Sequence, residues 1–332
     1  MEKLKIIFLG TPEFAAESLK AIVEHGYDVC AVVTMPDKQA GRGHKLLQSD
    51  VKKYALSVGL PVLQPANLKD PEFQRELAAF GADLFVVIAF RMLPEAVWSM
   101  PPLGTFNLHA SLLPKYRGAA PINRAVINGE TKTGVTTFFL RHDIDTGDII
   151  AQKEIDIAPD ENVGSVHDRL MHLGAEMVLE TLAAINSSPD GHIEAKPQPE
   201  GDFIPAPKIF SQDCVIDWNL PAQNVYNLIR GLSPYPAART FITDLGGKVS
   251  SLKIFTASIV NDLPTLADAQ PGDIAFDKRT IYVKCADNAI AITDLQLQGK
   301  KRMSTDAFLL GYHPAQGQNL VKLTAENGDA IR

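Results

Sequence analysis

Three cysteines in 332 residues are too few, and too widely spaced, to build a disulfide scaffold. Cys30, Cys214 and Cys285 form no Cys-x-x-Cys pair, which argues against a zinc cluster, and each sits near apolar neighbours as a small buried hydrophobe would. His142, His167 and His172 lack a convincing ligand spacing, so no metal is expected. No apolar run approaches the roughly 20 residues that a membrane-spanning helix needs. Positive charge is not in excess either: the net charge is −7, which does not advertise a nucleic-acid binder. Gly10-Thr11-Pro12, after the first apolar run, lacks the Gly-x-Gly-x-x-Gly fingerprint, so a dinucleotide cofactor is disfavoured and Gly10 reads as a tight strand-to-helix turn. The chain enters its first strand almost directly from Met1, which leaves no room for a signal peptide and predicts a cytoplasmic protein.

What is present describes a soluble globular chain, 45% hydrophobic and 21% charged, long enough for two domains. Apolar runs over 4–9, 28–34, 84–89, 105–108 and 134–140 read as strands, alternating with amphipathic segments. One of these, over 12–25, is a helix ended by Gly26. Ser165 with Asp168 reads as a capping pair opening a long helix through about residue 185. The alternation predicts an α/β fold, a doubly wound and mostly parallel sheet, over 1–190. Pro197, Pro199, Pro205 and Pro207 mark a linker over 191–208. Beyond it, a helix near 222–230 and short strands over 252–257, 280–285 and 289–294 predict a small β-barrel domain over 209–332.

The chemistry concentrates in residues 104–121, GTFNLHASLLPKYRGAAP. Side chains two apart on a strand share a face, so Asn107 and His109 can address one site together. An amide donor beside an imidazole suits a reaction that develops an oxyanion while a proton moves. Asn107 is the oxyanion donor in this reading. His109 carries the proton or, as imidazolium, adds to the oxyanion stabilisation. Asp143, Asp145 and Asp148 then crowd one turn, and any of the three could orient the imidazole.

Asn107, His109, the SLLPKYRGAAP run over 111–121 and the DTGD turn over 145–148 together resemble the folate-dependent formyltransferases, and the likeness runs nearly end to end. The resemblance implies a Rossmann-like formyltransferase domain followed by an OB-like β-barrel, with 10-formyltetrahydrofolate as co-substrate. It selects Asp145, directly before Thr-Gly, as the catalytic carboxylate. It places the pterin against Ser111, Leu112, Leu113 and Pro114 and against the loop Phe90, Arg91, Met92 and Leu93, where relatives often carry a glycine and one more residue. Two features favour the branch that formylates methionyl-tRNA: a C-terminal domain that a small-molecule transferase does not require, and the Gly-rich basic loop over 35–45. In the resemblance Arg42 of that loop reaches the tRNA acceptor end. Residues 201–332 carry 13 basic and 13 acidic side chains, so RNA contacts need local patches: Arg42 with Lys45, Lys115 with Arg117, and Lys300, Lys301 and Arg302. We expect a monomer. The alternative is a formyltransferase acting on a small-molecule amine.

Overall fold

The computed structural model describes residues 4–40, 45–201, 203–243, 249–311 and 320–321. In chain order the first elements are β1 (Lys5–Gly10), α1 (Glu13–Glu24), β2 (Asp28–Val33), β3 (Lys38–Ala40), β4 (Lys45–Leu47), α2 (Asp50–Ser57), β5 (Val62–Leu63), α3 (Pro71–Ala79), β6 (Leu84–Ile88), α4 (Glu95–Trp98), β7 (Thr105–His109), α5 (Pro121–Ile127), β8 (Lys132–Phe139), β9 (Ile149–Asp156) and α6 (Val163–Ser187). Seven of these strands form one sheet in the order β5-β2-β1-β6-β7-β8-β9, and β3 pairs with β4 as a separate ribbon. The pairings from β5 to β7 are all parallel, while β8 runs antiparallel to β7. Strand order reverses between β1 and β6, the switch point at which doubly wound sheets open a crevice beyond their carboxyl ends.

Local chemistry explains the elements. In β6 the run Leu-Phe-Val-Val-Ile is buried at every position, as a strand covered on both faces requires. Helix α1 buries Phe14, Ala15, Leu19 and Ile22 along one stripe, and Gly26 leaves the helix at φ +76°. Gly10 answers to packing rather than to backbone freedom: a Cβ there would stand 2.7 Å from that of Ala15 and 2.8 Å from the Phe8 ring. Helix α2 is capped by Ser49, which accepts from the Lys52 N–H, and α3 by Asp70, with Pro71 in its first turn. At α6 the cap differs from the sequence reading. Asn162 accepts from the Ser165 N–H at 3.1 Å, and Ser165 lies inside the helix with its hydroxyl donating to Glu161 at 2.7 Å. A Ser-x-x-Asp pattern three residues downstream of an Asn resembles a cap, but the Asn reaches the free amide first.

The remaining elements are α7 (Ala222–Leu232), β10 (Ala238–Thr243), β11 (Val249–Val260), β12 (Ile274–Phe276), β13 (Ile281–Lys284), β14 (Ala289–Leu297), β15 (Met303–Ser304), α8 (Thr305–Gly311) and β16 (Leu320–Val321). They form a second seven-stranded sheet in the order β12-β13-β14-β11-β10-β16, with β15 beside β14. Among the described residues its strand pairings are antiparallel. Helix α7 contributes Ala222, Val225, Ile229 and Leu232 to a core shared with Ile254, Ile281, Ile290 and Ile292. Trp218 is buried there, its indole N–H donating to Thr240 at 3.0 Å. The fold class is the expected one, a mostly parallel α/β sheet followed by an antiparallel β domain.

By contact the chain forms two compact units, one from residues 1–121, 133–155 and 167–206, the other from 122–132, 156–166 and 207–332. Part of the stretch read as a linker is fastened to the first unit: Lys196 and Ile149 exchange backbone hydrogen bonds, and Ala206 does so with Arg117 and Ala120. Among the described residues no helix is long and apolar enough to cross a membrane.

Candidate active site

Strand β7 delivers Asn107 and His109 at the carboxyl end of the parallel sheet, in register with Phe138 and Thr136 of β8. His109 is only 7% exposed. Its Nε2 lies 2.8 Å from the carbonyl oxygen of Tyr116, an atom that can only accept, so Nε2 carries the proton. Nδ1 is thereby left as the atom that gains or loses one. It stands 3.7 Å from Oδ2 of Asp145.

The structure separates the three acids of the turn. Asp143 is exposed and lies beside His142, and Asp148 pairs with Arg141. Asp145 points inward, at φ +53°, and its Oδ2 accepts the Gly118 N–H at 2.9 Å. Gly118 itself sits at φ +126°, where a Cβ would fall 2.5 Å from the Ala206 carbonyl oxygen. The side-chain amide of Asn107, half-buried, has no protein partner among the described residues.

Residues 111–114 are held by a polar bracket under the loop. The Ser111 hydroxyl donates to the Lys115 carbonyl at 2.7 Å, and the Thr136 hydroxyl donates to the Ser111 carbonyl at 2.6 Å. Thr136 also accepts from the Leu113 N–H and from Gln152, whose amide donates to the Leu113 carbonyl at 2.8 Å. Leu113 is buried and is joined to Pro114 by a cis peptide, with Leu112 and Pro114 half-buried. The loop after β6 divides. Ala89, at φ +46°, is exposed, and Met92 is 69% exposed. Leu93 turns into the core instead, and Arg91 donates to the carbonyls of Pro65 and Ala66 while lying over the Phe90 ring. Arg91, Met92, Asn67, Lys69, Trp98 and His142 border a cleft of about 380 Å³.

The basic candidates part company as well. Arg42 lies outside the described residues, and Lys45 opens β4, opposite Ala40. Lys115 is exposed on the loop. Arg117 is engaged: Nε and Nη2 donate to Oε1 of Gln198 at 3.0 and 2.6 Å, and its guanidinium lies over the Phe203 ring. Arg302 grips Asp294 through Nε and Nη2 and lies 4.2 Å from the Phe255 ring centre. Thr136, Gln152 and Gln198 escaped the sequence reading, because an isolated Thr or Gln on a strand or loop carries no local mark of its partners.

The Formyl transferase family matches residues 4–182, and its C-terminal domain, "Formyl transferase, C-terminal domain", matches 208–313. The chain belongs to the formyl transferase family. The methionyl-tRNA formyltransferase of Bacteroides fragilis is 54% identical over 317 residues, covering 94% of this chain and 96% of its own. That of Flavobacterium johnsoniae is 50% identical over 311 residues, covering 94% and 97%. Among solved structures, HypX from Aquifex aeolicus in complex with tetrahydrofolic acid superposes with a TM-score of 0.60 at 20% identity, over 92% of this chain and 46% of its own. WlaRD, a sugar 3N-formyl transferase, does so at 0.62 and 18% identity, over 91% of this chain and all of its own. These two likenesses are of fold. Both share the fold in which β7 carries Asn107 and His109.

Proposed function

We propose that this chain transfers the formyl group of 10-formyltetrahydrofolate to the α-amino group of methionyl-tRNA. The observation that carries the chemistry is an unspent amide, Asn107, two strand positions from an imidazole whose Nδ1 faces a fixed carboxylate. Asn107 donates to the formyl oxygen as it becomes an oxyanion, a contact whose removal typically raises a barrier by about 2.7–4 kcal/mol. His109 Nδ1 takes the proton that the attacking amine sheds, and the departing folate nitrogen is protonated in return. Asp145 favours the charged ring and holds its orientation. The new C–N bond forms at the formyl carbon as the bond to the folate nitrogen breaks.

The folate fits the same end of the sheet. In this reading the exposed Met92 and the bracketed loop over 111–114 receive the pterin, as the family resemblance implies. The amine is chosen on the relatives: two proteins named for methionyl-tRNA are at least 50% identical across nearly the whole of both chains, C-terminal domain included. In this reading Arg42, Lys45 and Lys115 meet phosphates, Arg117 braces the loop, and residues 209–332 add RNA contacts in the cytoplasm.

The test is formyl transfer from 10-formyltetrahydrofolate to charged initiator tRNA, in parallel with glycinamide ribonucleotide and an amino-sugar nucleotide. Product on the tRNA alone is expected. Product on a small amine, with none on the tRNA, overturns the reading. Arg42→Ala should weaken tRNA use far more than folate binding and flatten its salt dependence. Asp145→Asn should lower turnover while folate affinity holds, and full activity in that variant removes Asp145 from the mechanism.

A further inference from the structure

We infer that Gln198, in the segment between the two family matches, is a positioning residue for the reaction because it ties the Asp145 turn to the loop that receives His109. Resting on the assignment of Asp145 and His109 above, this proposal concerns one side chain. The Gln198 Nε2 donates to two carbonyls, those of Asp145 and Gly147, each at 2.8 Å. Its Oε1 accepts both donors of Arg117. A primary amide has two N–H bonds and two acceptor directions, and all four are in use. The amide cannot be flipped: turned over, its oxygen would face two carbonyl oxygens and its NH₂ would face a guanidinium.

The two loops thus clamped are those that build the site. Arg117 lies between Tyr116, whose carbonyl fixes Nε2 of His109, and Gly118, whose N–H fixes Oδ2 of Asp145. Within the turn the Thr146 hydroxyl donates to the Asp143 carbonyl, and the Phe139 N–H to the Asp148 carbonyl; Gln198 and the Gly118 N–H tie the turn to the neighbouring loop. Asp145 occupies a left-handed conformation that a non-glycine residue adopts only when its surroundings impose it. Gly147 is pressed so close to Phe139 that a Cβ would fall 1.6 Å from the carbonyl oxygen. The strap bearing Gln198 is itself anchored on both sides, at Lys196 to Ile149 and at Ile204 to the Tyr116 N–H at 2.7 Å. A displacement of Gln198 therefore moves the carboxylate relative to the imidazole without touching substrate.

The experiment is a double-mutant cycle on single-turnover formyl transfer, with Gln198→Ala, Asp145→Asn and the pair, alongside thermal unfolding of each. Gln198→Ala should lower the transfer rate about 10–100-fold with KM for folate nearly unchanged, the range typical of residues that orient a reacting group. In the Asp145→Asn background the same substitution should change little, because the group it positions is already gone. Gln198→Glu keeps the acceptor for Arg117 but sets a carboxylate against two carbonyls, so it should fail as Gln198→Ala does; recovery by this variant overturns the proposal. So does a multiplicative loss in the cycle, which marks a general structural role, or a rate within twofold of wild type. Should Gln198→Ala not fold, Gln198→Met takes its place in the cycle. If Asp145→Asn proves fully active, it is the assignment of Asp145 that falls, whatever Gln198 does. Hydrogen exchange over 139–148 gives a second reading: faster exchange in the Gln198 variant is expected, and unchanged exchange counts against the clamp.

Discussion

The backbone N–H of Gly118 donates to the same oxygen of Asp145, Oδ2, that faces Nδ1 of His109. One backbone donor thus fixes where the negative charge lies relative to the ring. The pair is largely withdrawn from water, and polar interactions there are stronger than on a surface.

Gly118→Ala should be damaging twice over. The residue holds φ +126°, and the added Cβ would press on the Ala206 carbonyl at 2.5 Å. A loss of about 2 kcal/mol or more in unfolding free energy is expected, together with a fall in turnover larger than the loss of folded protein accounts for. Denaturant melts and rates normalised to folded enzyme would settle it; a variant as stable and as fast as wild type removes the constraint.

In the C-terminal unit, Thr240→Val should leave the Trp218 indole N–H buried without its acceptor. The two side chains have nearly the same shape, so the change removes the acceptor with little change in packing. It should destabilise by about 1–3 kcal/mol. The chain has two tryptophans, so a Trp98→Phe background makes Trp218 the sole indole reporter of unfolding. An unshifted urea midpoint would show that the indole N–H is content without Thr240.

Burial pushes all three thiols up, that of Cys285 to about 12. Thiolate is the reactive form, so the native protein should react slowly with a disulfide reagent at about pH 8. Cys30, only half-buried, should be the first to react. Three equivalents should appear at once in denaturant. Rapid reaction of two or more thiols in the native protein contradicts this.

Asp37 directly precedes β3, and hydrogen bonds from Lys52 and Gln64 hold its carboxyl below the ordinary 3.8. The folded value is depressed, so the stabilisation is complete above the unfolded value and drains away as pH falls through the folded one. Asp37→Asn should therefore be less stable than wild type near neutral pH, and the gap in Tm should close as pH falls below about 4. A gap independent of pH would mean that the carboxylate charge plays no part.

Much of this architecture is visible in the chain alone. β1, β2 and β6 are nearly continuous apolar runs, as central strands covered on both faces require, and such runs stand out without partners. Asn107 and His109 are legible because a strand's two-residue period fixes their common side. Choosing among Asp143, Asp145 and Asp148 is different: nothing local distinguishes them, and only the fold shows which one turns inward to Gly118. Strand β9 hides for the opposite reason to β6, since Gln152, Lys153 and Glu154 interrupt its apolar residues at the edge of the sheet. Arg91, which the resemblance sets against the pterin, donates Nη1 and Nη2 to the Ala66 and Pro65 carbonyls, bonds that no local pattern announces. Gln198 is the least legible of all, the three residues it bonds lying 51 to 81 positions away.

Neither compact unit is a single continuous piece of chain, and this has a consequence for synthesis. As the protein leaves the ribosome, residues 122–132 and 156–166 emerge well before the 207–332 segment with which they are grouped. The earlier unit itself waits for residue 206. The first unit can be completed once residue 206 is out, but two pieces of the second must wait, already synthesised, for the segment that begins at residue 207, unlike the simple bead-by-bead order usual in multidomain chains. A nascent chain halted at residue 182, where the N-terminal family match ends, would leave both unfinished.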